Sequence, residues 1–152
     1  MLTVTEGPFN ASALLNEFEK TAVGAGAIVS FTGLVRAEAA AGQVKGLFLQ
    51  AYSPMTENGI QAAIDEAKAR WPVPNVSVAH RVGEMMPGEA IVFVATASAH
   101  RRAAFEAADF LMDYLKTKAV FWKRETTDQG EVWIEPRADD YADAERWAKS
   151  SD

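Results

Sequence analysis

The sequence predicts an α+β fold with a split β-α-β-β-α-β core, and three observations lead there. Between Val44 and Glu125, stretches of alternating apolar residues and stretches with apolar residues three or four apart follow in the order strand, helix, strand, strand, helix, strand. The two middle strands, around Val76–Val82 and Glu89–Ala97, are joined through Pro87-Gly88, the central residues of a type II turn. Further strand- and helix-like segments extend both ends of this core, and 152 residues suit a single domain spanning 1–152. The expected architecture is a mainly antiparallel sheet with two helices on one face.

Asn10 to Val23 has the spacing of an amphipathic helix, with Leu14, Leu15 and Phe18 on one face and a stop at Gly24. Ala27 to Arg36 is a strand with Val29, Phe31 and Val35 on one side. Ala37 to Gly42, alanine- and glycine-rich with nothing to bury, reads as a mobile loop before a strand from Val44 to Tyr52. Ser53-Pro54 predicts a helix start, a hydroxyl cap followed by proline at the first helical position. Ile60, Ala63, Ile64, Ala67 and Trp71 then recur at helical spacing until Pro72. Val76, Val78, His80 and Val82 alternate along a strand, and Glu89 to Ala97 is almost continuously apolar, as in a central strand. Ser98 is positioned to cap a helix carrying Ala104, Ala107, Ala108, Leu111 and Leu115 on one stripe. Val120 to Glu125 and Val132 to Glu135 form a hairpin around Asp128-Gln129-Gly130. A short last helix contains Tyr141, Ala144 and Trp147.

Composition narrows the function. There is no cysteine, which excludes disulfides, thiolate metal sites and a cysteine nucleophile, and two histidines are too few for an ordinary zinc or iron centre. Neither a metal nor a cofactor is expected. Met1 to Asn10 has no basic region or apolar run of a secretory leader, and no apolar stretch approaches the roughly 20 residues that span a bilayer. The expectation is a cytoplasmic protein without a membrane partner. The net charge of −6 hides an asymmetry: the segment His100–Arg124 carries +3, leaving −9 elsewhere. A locally basic site on an acidic body suits a small anion better than nucleic acid.

Four clusters of candidates follow. Ser98-Ala99-His100-Arg101-Arg102 opens a helix, where free N–H groups and the helix dipole already favour an anion and acids are the usual neighbours. Lys116 sits in a last helical turn, where the dipole alone favours it. Lys123 lies on a strand between aromatic residues and opposite Trp122, where desolvation lowers a lysine pKa and equips it for acid/base or covalent work. The same lysine can instead snorkel its head to water. Arg36 and Arg137 stand at strand ends, compatible with phosphate binding or with surface ion pairs. His80, among valines, reads as a packed core or interface histidine.

Six blocks then resemble, in order and spacing, the large subunit of molybdopterin synthase. They are Phe31-Thr32-Gly33-Leu34-Val35-Arg36, His80–Glu84 with Pro87-Gly88-Glu89, Ser98–Arg101, Phe105-Glu106-Ala107, Met112–Thr117 and Phe121–Glu125. The resemblance runs from about Ala27 to Trp147. It implies an alpha/beta-hammerhead type of fold and a homodimer within a heterotetramer, with a small ubiquitin-like subunit at each end. That partner would carry a C-terminal thiocarboxylate, from which sulfur passes to cyclic pyranopterin monophosphate to form the molybdopterin dithiolene. A chain without cysteine agrees with sulfur brought in by a partner. By motif position, Lys116 and Lys123 match the family's catalytic lysines. His100, Arg101 and Arg36 match its anion- and pterin-binding residues, and Arg137 joins them. Of the lysines, Lys116 is expected in acid/base or transient covalent chemistry and Lys123 in stabilising an oxyanion or the thiocarboxylate. The Ala37–Ala41 segment departs from the more polar family loop, and Gln50-Ala51-Tyr52 from its Glu-His-Tyr or Glu-Ala-Tyr. The alternative from another class is a non-catalytic α+β module binding a phosphorylated metabolite or a partner peptide.

Overall fold

The computed structural model describes residues 1–148. In chain order its elements are β1 (Leu2–Thr5), α1 (Ala11–Thr21), β2 (Ala27–Leu34), β3 (Glu38–Ala39), β4 (Gly42–Ala51) and α2 (Met55–Arg70). They continue with β5 (Asn75–Arg81), β6 (Gly83–Met85), β7 (Ala90–Ser98), α3 (Arg101–Thr117), β8 (Phe121–Thr127), β9 (Gly130–Trp133) and α4 (Ala138–Glu145). The α+β class is that expected, and so is the strand-helix order from β4 to β8 apart from the short additional strand β6 between β5 and β7. The last four residues of the expected 1–152 domain lie outside the described residues.

The strands form two sheets rather than one. The first has the order β1-β5-β7-β2, and the second runs β3-β4-β8-β9 with β6 added to β4. In a single split β-α-β-β-α-β sheet, β4 would lie beside β7. Here β2 occupies that place, antiparallel to β7 from Ala27↔Ser98 to Leu34↔Ala90. β4 pairs instead with β8, from Val44↔Thr127 to Ala51↔Phe121. Gly83, at φ 85°, turns the chain out of β5 so that β6 joins the other edge of β4. The expected loop Ala37–Gly42 is a tight hairpin, because Glu38 and Ala39 pair back onto Gln43 and Gly42.

β7 is buried on both faces, which accounts for its unbroken apolar run. Val92 and Val94 face α2 and α3 in a core with Ile60, Ile64 and Leu111. Phe93, Ala95 and Ala97 face α1 around Phe18 and Ala22. A third cluster, with Val35, Leu47, Leu49, Val82 and Met85, joins the second sheet to the first. Leu111 is fully buried; truncating such a side chain to Ala costs about 2–5 kcal/mol.

Helix starts differ from expectation in an instructive way. Asn10 caps α1, accepting from Ala13 N at 3.0 Å. Ser53 does not cap α2. The cap position is Pro54, and Ser53 Oγ donates to Glu57 Oε1 while Thr56 Oγ1 ties Tyr52 N to Val120 O. Ser98 does not cap α3 either: its hydroxyl donates to Pro72 O, and the cap position is His100 without a side-chain bond. Gly26 lets β2 approach that helix start, since a Cβ there would lie 2.2 Å from Ala99 O. Met86–Glu89 forms the expected turn, closed by Glu89 N to Met86 O, with Gly88 at φ 89°.

Candidate functional site

A cavity of about 660 Å³ opens between the two sheets beneath the C-terminal end of α3. The first sheet contributes Phe31 to Leu34 of β2, His80 of β5 and Val92 of β7; the second contributes Lys123 and Glu125 of β8. Lys116 closes it from the last turn of α3, and Ile134 to Arg137 run along it after β9, followed by Asp140 of α4. Arg36 stands where β2 ends. Four of the six predicted site residues, Lys116, Lys123, Arg36 and Arg137, therefore share one cavity.

Strand alternation selects which side chains enter. Lys123 and Glu125 point inward, whereas Trp122 and Arg124 lie on the outer face, with Trp122 edge-on to Tyr52 and Trp133. Lys123 is partly buried, and burial pushes its pKa down to about 8, helped by the positive charges of Lys116 and Arg36 and opposed by Glu125 and Asp140. Lys116 is exposed at the rim. Arg137 is held by Asp140, whose carboxylate accepts from the Arg137 backbone N at 3.0 Å and from its guanidinium at 3.3 Å. That bond to Arg137 opposes burial and leaves the Asp140 pKa below the usual carboxylate value.

His100 and Arg101 are not part of this cavity within one protomer. They are exposed at the N-terminal end of α3, with Lys116 fifteen residues further along the helix, about 22 Å at 1.5 Å per residue. Arg36 and Ala27 likewise mark opposite ends of β2, and it is the Ala27 end that lies beside Ser98. Within one chain, His100 and Arg101 therefore stand away from Arg36 instead of sharing a pocket with it.

His80, expected in the core, is indeed 6% exposed, yet it also lines the cavity. Glu125 and Asp140 were missed. Glu125 was readable from the period-2 alternation that puts it on Lys123's face. Asp140 carried only the signal of an acid in the first turn of α4.

The fold and this cavity define a class: an α+β protein of two sheets whose interior groove sets lysines and arginines around one small space. Residues 4–118 match the family described as MoaE protein. The chain is 52% identical over 122 residues to the molybdopterin synthase catalytic subunit of Escherichia coli (strain K12), covering 80% of this chain and 81% of that one. It is 48% identical over 147 residues to the protein of that name from Caulobacter vibrioides, covering 97% of each. The solved molybdopterin biosynthesis MoaE protein from Burkholderia ambifaria superposes with a TM-score of 0.83 at 37% identity, covering 99% of both chains. The chain belongs to the MoaE family, that of molybdopterin synthase catalytic subunits.

Proposed function

We propose that this protein is the catalytic subunit of a cytoplasmic molybdopterin synthase. It moves sulfur from the C-terminal thiocarboxylate of a small ubiquitin-like partner to cyclic pyranopterin monophosphate, forming the dithiolene of molybdopterin. The observation that carries this reading is the convergence of Lys116, Lys123, Arg36 and Arg137 on one cavity in a chain without cysteine. The sulfur must then arrive on another molecule, and the cavity supplies cations for a phosphate and for the thiocarboxylate.

Burial favours the opposite division of labour to the one expected from the sequence. Lys123, with its pKa lowered to about 8, is mostly protonated at pH 7 yet releases its proton far more readily than an ordinary lysine, and is the better acid/base or covalent group. Lys116 at the rim is the better fixed cation, placed to stabilise an oxyanion or the incoming thiocarboxylate.

His100 and Arg101 enter this reading only from a second copy. β2 is an open edge of the first sheet, and it exposes Ile28, Phe31 and Leu34. Two copies meeting edge to edge about a two-fold axis would set the Ala27 end of one β2 beside the Leu34 end of the other. That would bring the basic start of one α3 to the neighbour's cavity, to hold the substrate phosphate. The proposed assembly is such a homodimer inside a heterotetramer. The deciding experiment mixes the protein with thiocarboxylated small subunit and cyclic pyranopterin monophosphate and looks for dithiolene product. Absence of product with both components intact would overturn the reading.

A further inference from the structure

We propose that His80 determines specificity in the cavity: its Nε2 accepts a hydrogen bond from a ring N–H of the bound nitrogen heterocycle. This rests on the pterin-phosphate reading above and adds the group that recognises the ring rather than the phosphate.

The geometry settles the tautomer. His80 Nδ1 lies 3.0 Å from Arg81 O, and a carbonyl oxygen only accepts, so the ring proton is on Nδ1 and Nε2 keeps its lone pair. The Phe121 ring, 4.2 Å away at 26°, fixes the imidazole plane. Among the described residues, Arg81 Nε and Arg124 Nε are the sealed side-chain nitrogens without a partner. Nε2 has no partner among the described residues and is not one of these, so it stays open to the cavity that His80 lines. Burial holds the imidazole pKa down at about 4, against the Nδ1 bond, and Lys123 and Lys116 lower it further. At neutral pH this is an uncharged acceptor.

Glu125 and the Thr32 and Thr117 hydroxyls can also accept here, but Nε2 is the neutral nitrogen acceptor held in a fixed plane against Phe121. Lys116, protonated Lys123, Arg36 and Arg137 only donate, which suits phosphate and carbonyl oxygens but offers nothing to an N–H. Asp140 is already engaged with Arg137. The ionised oxygens of a phosphate group accept and gain nothing from Nε2, whereas a pterin presents ring N–H groups. Leu47, Val92, Leu115 and the Phe121 ring supply the apolar walls that a flat ring needs. A site built around a specific hydrogen bond discriminates against ligands that cannot make it.

The test measures equilibrium binding of cyclic pyranopterin monophosphate and of inorganic phosphate, without small subunit, to the unaltered protein, His80→Phe and His80→Gln. His80→Phe keeps an aromatic ring against Phe121 but has no acceptor, and loss of one such bond is expected to weaken pterin binding about tenfold. Phosphate affinity should stay the same. His80→Gln, whose Oε1 can stand in for Nε2, should bind the pterin within about threefold of the parent. In the reconstituted reaction KM should rise in His80→Phe with kcat within about twofold. As a check independent of variant folding, ¹⁵N spectra of the unaltered protein should show Nε2 unprotonated from about pH 6 to 8 and shifted by pterin but not by phosphate. Equal pterin affinity in His80→Phe, or a protonated Nε2 in the free protein, overturns the proposal while leaving the enzyme assignment standing. An unaltered protein that binds no pterin overturns both.

Discussion

The two ends of α3 are both basic, but physics treats them oppositely. At the C-terminal end Lys116 meets the negative pole of the helix dipole, so its charge is stabilised before any substrate arrives. At the N-terminal end His100, Arg101 and Arg102 face the positive pole, the first turn has no acid, and the cap position makes no side-chain bond. One end is roofed by two sheets and a trailing segment; the other stands exposed. A basic residue that the local field already rewards carries little information about function. One that the field opposes points to a reason outside its own helix, and the dimer proposed at the open edge of β2 would supply it.

The harshest way to break this contrast is to remove the cavity lysines. Lys116→Ala and Lys123→Ala should each lower product formation by about 10²–10⁴. For Lys116 at the rim, the melting temperature should hardly move, because truncating an exposed side chain changes stability by about 0.5 kcal/mol or less. If both variants keep the parent rate, the cavity lysines are ordinary structural residues and the binding-module alternative takes their place.

The other end of the helix calls for a smaller effect of a different kind. Arg101→Ala should raise KM about tenfold with kcat nearly kept, since it holds charge already present in the ground state. Mixing gives the sharper measurement. If Arg101 serves the neighbour's cavity, a dimer of one Lys123→Ala and one Arg101→Ala chain contains one intact site. Random exchange of the two variants should then restore about a quarter of the parent activity at low substrate. No gain over the sum of the unmixed variants would mean that Arg101 does not act across a dimer.

Gly26 tests the framework beneath both ends. Gly26→Ala puts a methyl group 2.2 Å from Ala99 O, a backbone atom that cannot swing aside. Overpacking of this kind costs about 1–3 kcal/mol, measurable by urea denaturation, and it should disturb the start of α3 before it disturbs the Lys116 end.

Much of this was legible locally. The periodicities of α1, α2 and α3 and the β7 run reflect which face each element buries, and Lys123 opposite Trp122 follows from alternation alone. Pairing partners were not legible, because nothing in the pattern of β4 says that β2 will occupy the place beside β7. The hydroxyls of Ser53 and Ser98 misled for a related reason: each donates to an oxygen, of Glu57 and Pro72 respectively, instead of accepting from a helix N–H. His80 looked like core because a cavity wall and a core strand share one apolar pattern until the facing sheet is known. The distance between Arg101 and Arg36 likewise depends on strand direction, which emerges only when β2 pairs antiparallel to β7.

The smallest expected effect probes how closely the two lysines at the cavity are coupled. Lys123 titrates near 8 rather than 10.5 because of burial first, then the charges of Lys116 and Arg36. Replacing Lys116 by Ala removes one repelling charge, so the Lys123 pKa should rise, on the order of half a unit for a partly screened pair. Nζ titration by NMR after ¹³C-methylation should show one lysine signal near 8 that disappears in Lys123→Arg and moves upward in Lys116→Ala. The same shift has a signed consequence for stability. The folded protein releases this proton more readily than the unfolded chain, so the unfolded state holds more protons between about 8 and 10.5. The penalty for a charged Lys123 is complete below that window and is relieved as pH rises through it. A Lys123→Met variant, isosteric and uncharged, should therefore gain stability relative to the parent at pH 7 and lose that advantage toward pH 10. A downward shift of the lysine signal in Lys116→Ala, or none, would mean that the two ammonium groups do not sense each other, and burial alone would then set the proton affinity of Lys123.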